Sequence, residues 1–163
     1  MYQSGLFETK VNAKKTDVIY QPKGRAAEYC HWACNIYRGC EHGCRYCYVP
    51  AIMRSSLDSF SVMAEPRKDI LEKLEQDAAY QSNNGLDENI LLSFTSDAYQ
   101  PIEQKIGITR KALEILAKYG LKVTVLTKGG SRALRDIDLY QDGWEFASTL
   151  TFIDDYESLI WEK

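Results

Sequence analysis

The chain has 163 residues, 45% hydrophobic and 26% charged, and that balance excludes disorder as its main state. The length suits one domain of ~100–200 residues and falls short of the ~200 that a small eight-unit β/α barrel requires. The net charge of −3 is unevenly spread, with eight Lys/Arg against four Asp/Glu in residues 1–54 and twelve against nineteen after them, so the chain as a whole does not call for a polyanion partner.

Residues 1–33 read as a leader, punctuated by Gly5, Pro22 and Gly24, with Val18-Ile19-Tyr20 as a short edge strand. Met1 to Glu8 has neither a basic flank nor an apolar stretch, and no apolar run approaches the ~18 residues of a membrane helix. The expectation is a cytoplasmic protein with no membrane partner. Ala33 to Tyr37 is predicted as a first strand that feeds a cysteine-rich loop. A helix is predicted from Pro66, with Ile70, Leu71, Leu74 and Ala78 on one face and Asn83-Asn84-Gly85 as its end. The apolar run Ile90 to Phe94 predicts a buried strand. A second helix is expected from Thr109, as its cap, to Tyr119, stopped by Gly120. Lys122 to Thr127 is β-branched and strand-like. Ser131 is expected to cap a third helix to Tyr140, and Phe146 to Phe152 to form a fourth strand.

Strands alternating with amphipathic helices predict right-handed βαβ units and an α/β fold with a parallel sheet. Each unit takes ~30 residues, so about four units fit after Asn35.

Cys30, Cys34, Cys40, Cys44 and Cys47 fall within eighteen residues, and the other 145 positions have none. An odd count without an export signal argues against a disulfide scaffold. Clustered thiolates select zinc, copper(I) or iron–sulfur clusters. Cys40 to Cys47 reads C-x3-C-x2-C. Three thiolates on one short loop can take three corners of a cubane and leave the fourth iron without a protein ligand, whereas ordinary 4Fe–4S carriers use four cysteines. Gly39 and Gly43 suit a backbone that turns tightly around sulfur, and Arg38 and Arg45 would offset the negative charge of a thiolate-bound cluster. Zinc is the rival, with Cys30, Cys34 or His42 completing four ligands. Otherwise Cys30 and Cys34 read as structurally buried thiols and His42 as a polar loop residue.

Asn35 to Tyr48, with its RGC…HGCRYCY core, resembles the cluster loop of radical SAM enzymes, most closely the spore photoproduct lyase-like (DNA repair photolyase-like) group. The resemblance spans about Ala26 to Asp155. It implies a partial (β/α) barrel of about four parallel strands with flanking helices, with 1–33 as leader and 34–163 as the first half of the barrel core. It implies a 4Fe–4S cluster on Cys40, Cys44 and Cys47, with S-adenosylmethionine (SAM) on the open iron. Reductive cleavage of SAM would yield a 5′-deoxyadenosyl radical that acts on an unknown substrate, possible nucleic acid among them. An electron donor such as a flavodoxin or ferredoxin is implied as well.

The same resemblance names further site residues, at the strand ends where such sheets place their chemistry. Ser96 in Thr95-Ser96-Asp97 matches the serine beside the methionine end of SAM, with Asp97 a weaker candidate. Lys128 in Thr127-Lys128 would pair with the SAM carboxylate. Ser148 matches the fourth-strand serine that also contacts SAM. Tyr46 would approach adenine, and Tyr48 would stack or relay as a catalytic group. Phe94 stands where spore photoproduct lyases carry a hydrogen-donating cysteine, so repair of that lesion is not predicted. Two other readings remain: a non-enzymatic zinc-binding module contacting nucleic acid, and an inactive truncated radical SAM fragment. The expected edge at Phe146 to Phe152 would otherwise be covered by a partner chain completing the barrel.

Overall fold

A computed structural model describes residues 14–162. Gly5 and the stretch from Met1 to Glu8 lie outside the described residues. The main sheet has five strands in the order β1 (Ile19–Tyr20), β2 (Trp32–Cys34), β5 (Ile90–Leu92), β6 (Val123–Thr127) and β7 (Glu145–Ser148). The last four are mutually parallel, and β1 is an antiparallel edge on β2. A separate two-stranded ribbon pairs β3 (Tyr37–Arg38) with β4 (Glu65–Pro66).

Side-chain alternation decides which face is covered. Ile90, Leu92, Val123 and Val125 are fully buried on the face that receives helices α3 (Ile70–Asn83) and α5 (Ile108–Lys118). Ile70, Leu74 and Ala78 of α3 and Ala112, Leu113 and Leu116 of α5 enter the same core, at the spacing that places them on one side of each helix. On the opposite face, Leu126 is 44% exposed and lines an open hollow with its register partner Ala147, so that face is open.

Two buried carboxylates tie distant segments to this frame. Asp77 of α3 accepts the backbone N–H groups of Thr16, Val18 and Ile19, which fixes β1 at the sheet edge. Glu103, at the start of α4 (Glu103–Ile106), accepts the phenol of Tyr37. It also accepts the N–H groups of Ile108 at 3.2 Å and Thr109 at 3.1 Å and the Arg135 guanidinium at 2.7 Å. Tyr37 stands directly before the cysteine loop, so this carboxylate anchors the loop's entry. Burying such charges is tolerable only when both carboxylate oxygens find donors, as here.

Several expectations need correction. The strand expected over Ala33 to Tyr37 is broken: β2 ends at Cys34, and Asn35 turns its amide oxygen to the N–H groups of Phe94 and Thr95 at 2.7 and 2.8 Å. Pro66 lies in β4, and α3 starts at Ile70 after Asp69 adopts a left-handed φ of 55°. Thr109 does not cap α5. Gly107 takes that place with φ 63°, and the Thr109 hydroxyl donates to Ala98 O at 2.5 Å. Ser131 lies inside its helix, which is a 3-10 helix over Gly130–Leu139 capped by Gly129. The fourth strand ends at Ser148, and a helix unforeseen from sequence, α6 (Asp155–Trp161), follows it, capped by Asp154, whose carboxylate accepts Glu157 N at 3.0 Å. Two other short helices, α1 (Val49–Ile52) and α2 (Leu57–Val62), were likewise not expected; with four and six residues they show too few turns for a periodic signal. A 3-10 helix also spans Gly24–Glu28.

Candidate functional site

The cysteine loop runs from Gly39 to Tyr48, between β3 and α1. Gly39 has φ 77°, and a Cβ there would stand 2.7 Å from Met63 O and 2.8 Å from Phe60 O, so only glycine fits. Cys40 N donates to Phe60 O at 3.3 Å, which seats the loop on the end of α2. Gly43 turns the chain with φ 57°, and Cys47 N donates to Cys44 O at 3.0 Å. Cys44 is buried, while Cys40 and Cys47 are partly so. Burial pushes the Cys40 thiol up to about 12, against the pull of the His42 and Asp97 peptide N–H groups. A metal centre would have to displace that proton.

Among the described residues, no three His, Cys, Asp or Glu side chains stand together as a site for one metal ion. A polynuclear cluster asks for something different, because each sulfur takes its own iron. Three soft donors on a loop with two left-handed glycines fit that requirement. Cys34 is fully buried at the end of β2, in register with Ile19 of β1, and Cys30 is partly buried.

The turn after β5 brings Ser93 to Gln100 against this loop. Asp97 is its hub. Its carboxylate accepts Tyr99 N at 2.7 Å, Thr127 Oγ1 at 2.6 Å and Lys128 N at 2.6 Å. His42 Nε2 lies 3.2 Å from Asp97 Oδ2, as a polar contact off the hydrogen-bond axis. Burial would raise the Asp97 carboxyl, but His42, Thr127 and the Lys128 N–H outweigh it and hold it below its ordinary value. Ser96 Oγ is buried without a hydrogen-bond partner among the described residues. An unspent hydroxyl of this kind is an acceptor in search of a donor.

Lys128 follows β6 and reaches the same loop. Its Nζ lies 5.4 Å from the centre of the Tyr46 ring and donates to Thr151 Oγ1 at 2.6 Å and Glu162 Oε1 at 2.5 Å. Tyr46 donates its phenol to the same Glu162 carboxylate and packs edge-on to Phe152 at 5.8 Å. Burial would raise Glu162, but the Lys128 and Tyr46 hydrogen bonds bring it down to about 2. Lys128 therefore already sits over an aromatic face and pairs with a carboxylate, the arrangement a carboxylate-bearing ligand would take.

The remaining expected residues divide. Ser148 ends β7 in register with Thr127, so it stands beside the strand that leads to Lys128, with its side chain exposed. Tyr48 lies apart from Lys128. It lines a hollow of about 290 Å³ on the open sheet face with Tyr29, Phe94, Leu91, Leu126 and Ala147. Burial and the neighbouring Cys47 push its phenol up. The geometry thus joins the cysteine loop, Tyr46, the Ser96–Asp97 turn and Lys128, and sets Tyr48 on a second wall. Gln100, Thr151 and Glu162 were not foreseen. Gln100 follows the Thr95-Ser96-Asp97 motif closely enough to have been suspected, but nothing in the sequence marks Glu162.

The sequence matches the radical SAM superfamily over residues 34–151. An uncharacterized protein of Methanocaldococcus jannaschii is 31% identical over 136 residues, which is 81% of this chain and 46% of that protein. The chain therefore spans about half the length of the curated relative it matches. No solved structure matches it. With the three-cysteine loop, the strand-end turn and the parallel sheet on one frame, the chain belongs to the radical SAM superfamily.

Proposed function

We propose that the chain is a radical SAM enzyme, or the cofactor-binding part of one. Cys40, Cys44 and Cys47 would hold three irons of a 4Fe–4S cluster. Lys128 would take the SAM carboxylate, Ser96 would accept from its ammonium, and Tyr46 and Ser148 would flank it. When bound, this pair of groups supplies an electron and a 5′-deoxyadenosyl radical for hydrogen abstraction. The observation that carries the reading is Lys128, its backbone N–H held by Asp97, its ammonium over the Tyr46 ring and paired with a carboxylate.

The chain's own residues orient the ligand and limit water. The substrate would lie on the open sheet face, where Tyr29, Tyr48 and Phe94 form a wall without charged side chains. Nucleic acid as substrate, in the manner of the DNA repair photolyase-like group, rests on the sequence resemblance, and so do a lyase reaction and a flavodoxin or ferredoxin as donor. Phenylalanine at position 94 cannot donate a hydrogen atom, which speaks against repair of spore photoproduct. No helix among the described residues is long and apolar enough to cross a membrane. The four parallel strands would form the first part of a partial barrel, which a partner chain or further sequence would extend past β7.

Anaerobic reconstitution with iron and sulfide should give a brown protein with about four irons that forms 5′-deoxyadenosine on reduction with SAM. Replacing any of Cys40, Cys44 or Cys47 by serine should lower the iron content to background. A colourless protein holding one tight zinc would overturn the proposal in favour of the zinc-binding module.

A further inference from the structure

We propose that Gln100 is a positioning residue that sets the place of Cys40 and thereby the reduction potential of the centre it would ligate. The proposal rests on the cluster-binding reading above.

Gln100 is fully buried, although a glutamine amide in a core is costly unless both of its ends are paired. Here both ends go to one target. Its Oε1 accepts the N–H of Glu41 at 2.8 Å, and its Nε2 reaches Gly39 O at 3.5 Å. These are the peptides on either side of Cys40. The side chain therefore grips the first ligand residue as a neighbouring strand would, across 60 positions of sequence. The backbone at Gly39 is itself packed closely, since a Cβ there would stand 2.7 Å from Met63 O and 2.8 Å from Phe60 O.

The grip has an electronic consequence. The peptide N–H groups of His42 and Asp97 are directed at the Cys40 sulfur. Asp97 belongs to the same turn as Gln100 and is fixed by Tyr99, Thr127 and Lys128. N–H groups directed at a cluster sulfur stabilise the reduced, more negative state and raise its potential. Loosening the peptides around Cys40 moves the sulfur away from these donors. Its hydrogen bonds go to the loop's peptides, so its action passes through the loop.

The test compares Gln100→Met, which keeps the volume and removes both hydrogen bonds, with Gln100→Glu, which keeps an acceptor for Glu41 N–H. Both are reconstituted anaerobically and titrated by EPR without SAM. Gln100→Met should shift the midpoint potential to more negative values and broaden the signal of the reduced cluster. Gln100→Glu should restore the signal shape in part. Asp77→Asn, which loosens the distant β1 anchor, should lower the melting temperature without moving the potential. Should Gln100→Met lower only the melting temperature, with the wild-type potential and line shape retained, Gln100 is a packing residue and the proposal falls. Failure of the wild-type chain to assemble any iron–sulfur centre would instead remove the cluster-binding reading, and this inference with it.

Discussion

The cysteine loop is gripped from two sides, and the two grips are built differently. On the side of the 96–100 turn the contacts are buried: Gln100 and Tyr99 are fully so, Asp97 nearly so, and Glu103 behind them holds Tyr37 at the loop's entry. On the side of α6 the loop meets Glu162 and the carbonyl of Trp161, which accepts Arg45 N at 2.9 Å. None of the residues of α6 is buried, and its Leu159 is 81% exposed. A buried polar contact has no water to replace it when it breaks, whereas an exposed one does. The first grip is therefore fixed with the core. The second is inexpensive to open, which suits the side from which a carboxylate-bearing ligand must displace Glu162 from Lys128.

The largest effect should come from the deep end of the fixed grip. Glu103→Ala leaves the Tyr37 phenol and the N–H groups of Ile108 and Thr109 without their acceptor and strips Arg135 of one of its two carboxylate partners. A loss of about 3–5 kcal/mol is expected, read from the urea midpoint. A loss below ~1 kcal/mol would show that water reaches this site and that the two grips are alike.

The apolar framework should show the same asymmetry. Leu113 of α5 is fully buried, so Leu113→Ala should cost about 2–5 kcal/mol. Leu159→Ala on α6 should stay within about 0.5 kcal/mol. Equal losses in thermal unfolding would mean that α6 is covered in solution and that the comparison is wrong.

The same asymmetry explains what the sequence disclosed. The fixed side announces itself through period and composition. The apolar run Ile90 to Leu92, the β-branched stretch Val123 to Thr127 and the apolar faces of α3 and α5, which repeat over several turns, each carry a signal. The cysteine spacing was equally plain, since ligand chemistry confines three soft donors to a short loop. The hydrogen-bonded links were not legible. Gln100 meets Glu41 and Glu103 meets Tyr37 across about sixty residues, and a buried amide or carboxylate looks in sequence like any surface polar group. The β3–β4 ribbon is two residues deep on each side, too short for alternation to register. Helix α6 was hidden because its apolar residues lie on no buried face.

The smallest effect tests the movable grip directly. Glu162 accepts from Lys128 and Tyr46, and its carboxyl lies near 2 when folded against an ordinary 4.5. A folded value below the unfolded one means that its stabilisation is complete above pH 4.5 and is lost as the pH falls toward about 2. Lys128 shifts the other way: burial lowers it, but Glu162 and Tyr46 outweigh that and raise it, so its share is full below 10.5 and is lost only as the pH rises through its raised value. Between these windows the contact is constant. Both side chains keep some solvent exposure, at 18% for Lys128 and 26% for Glu162, so water and salt screen the pair and its worth is about 1 kcal/mol or less. Glu162→Gln at pH 7 should therefore speed amide exchange in residues 155–161 and at Arg45 N–H by up to about fivefold, the factor that corresponds to ~1 kcal/mol. Exchange in residues 96–100 should not change. Added salt should produce the same acceleration in the wild-type chain and none in Glu162→Gln. If residues 96–100 accelerate together with α6, the two grips open as one unit, and the ligand-facing side is no easier to move than the core behind it.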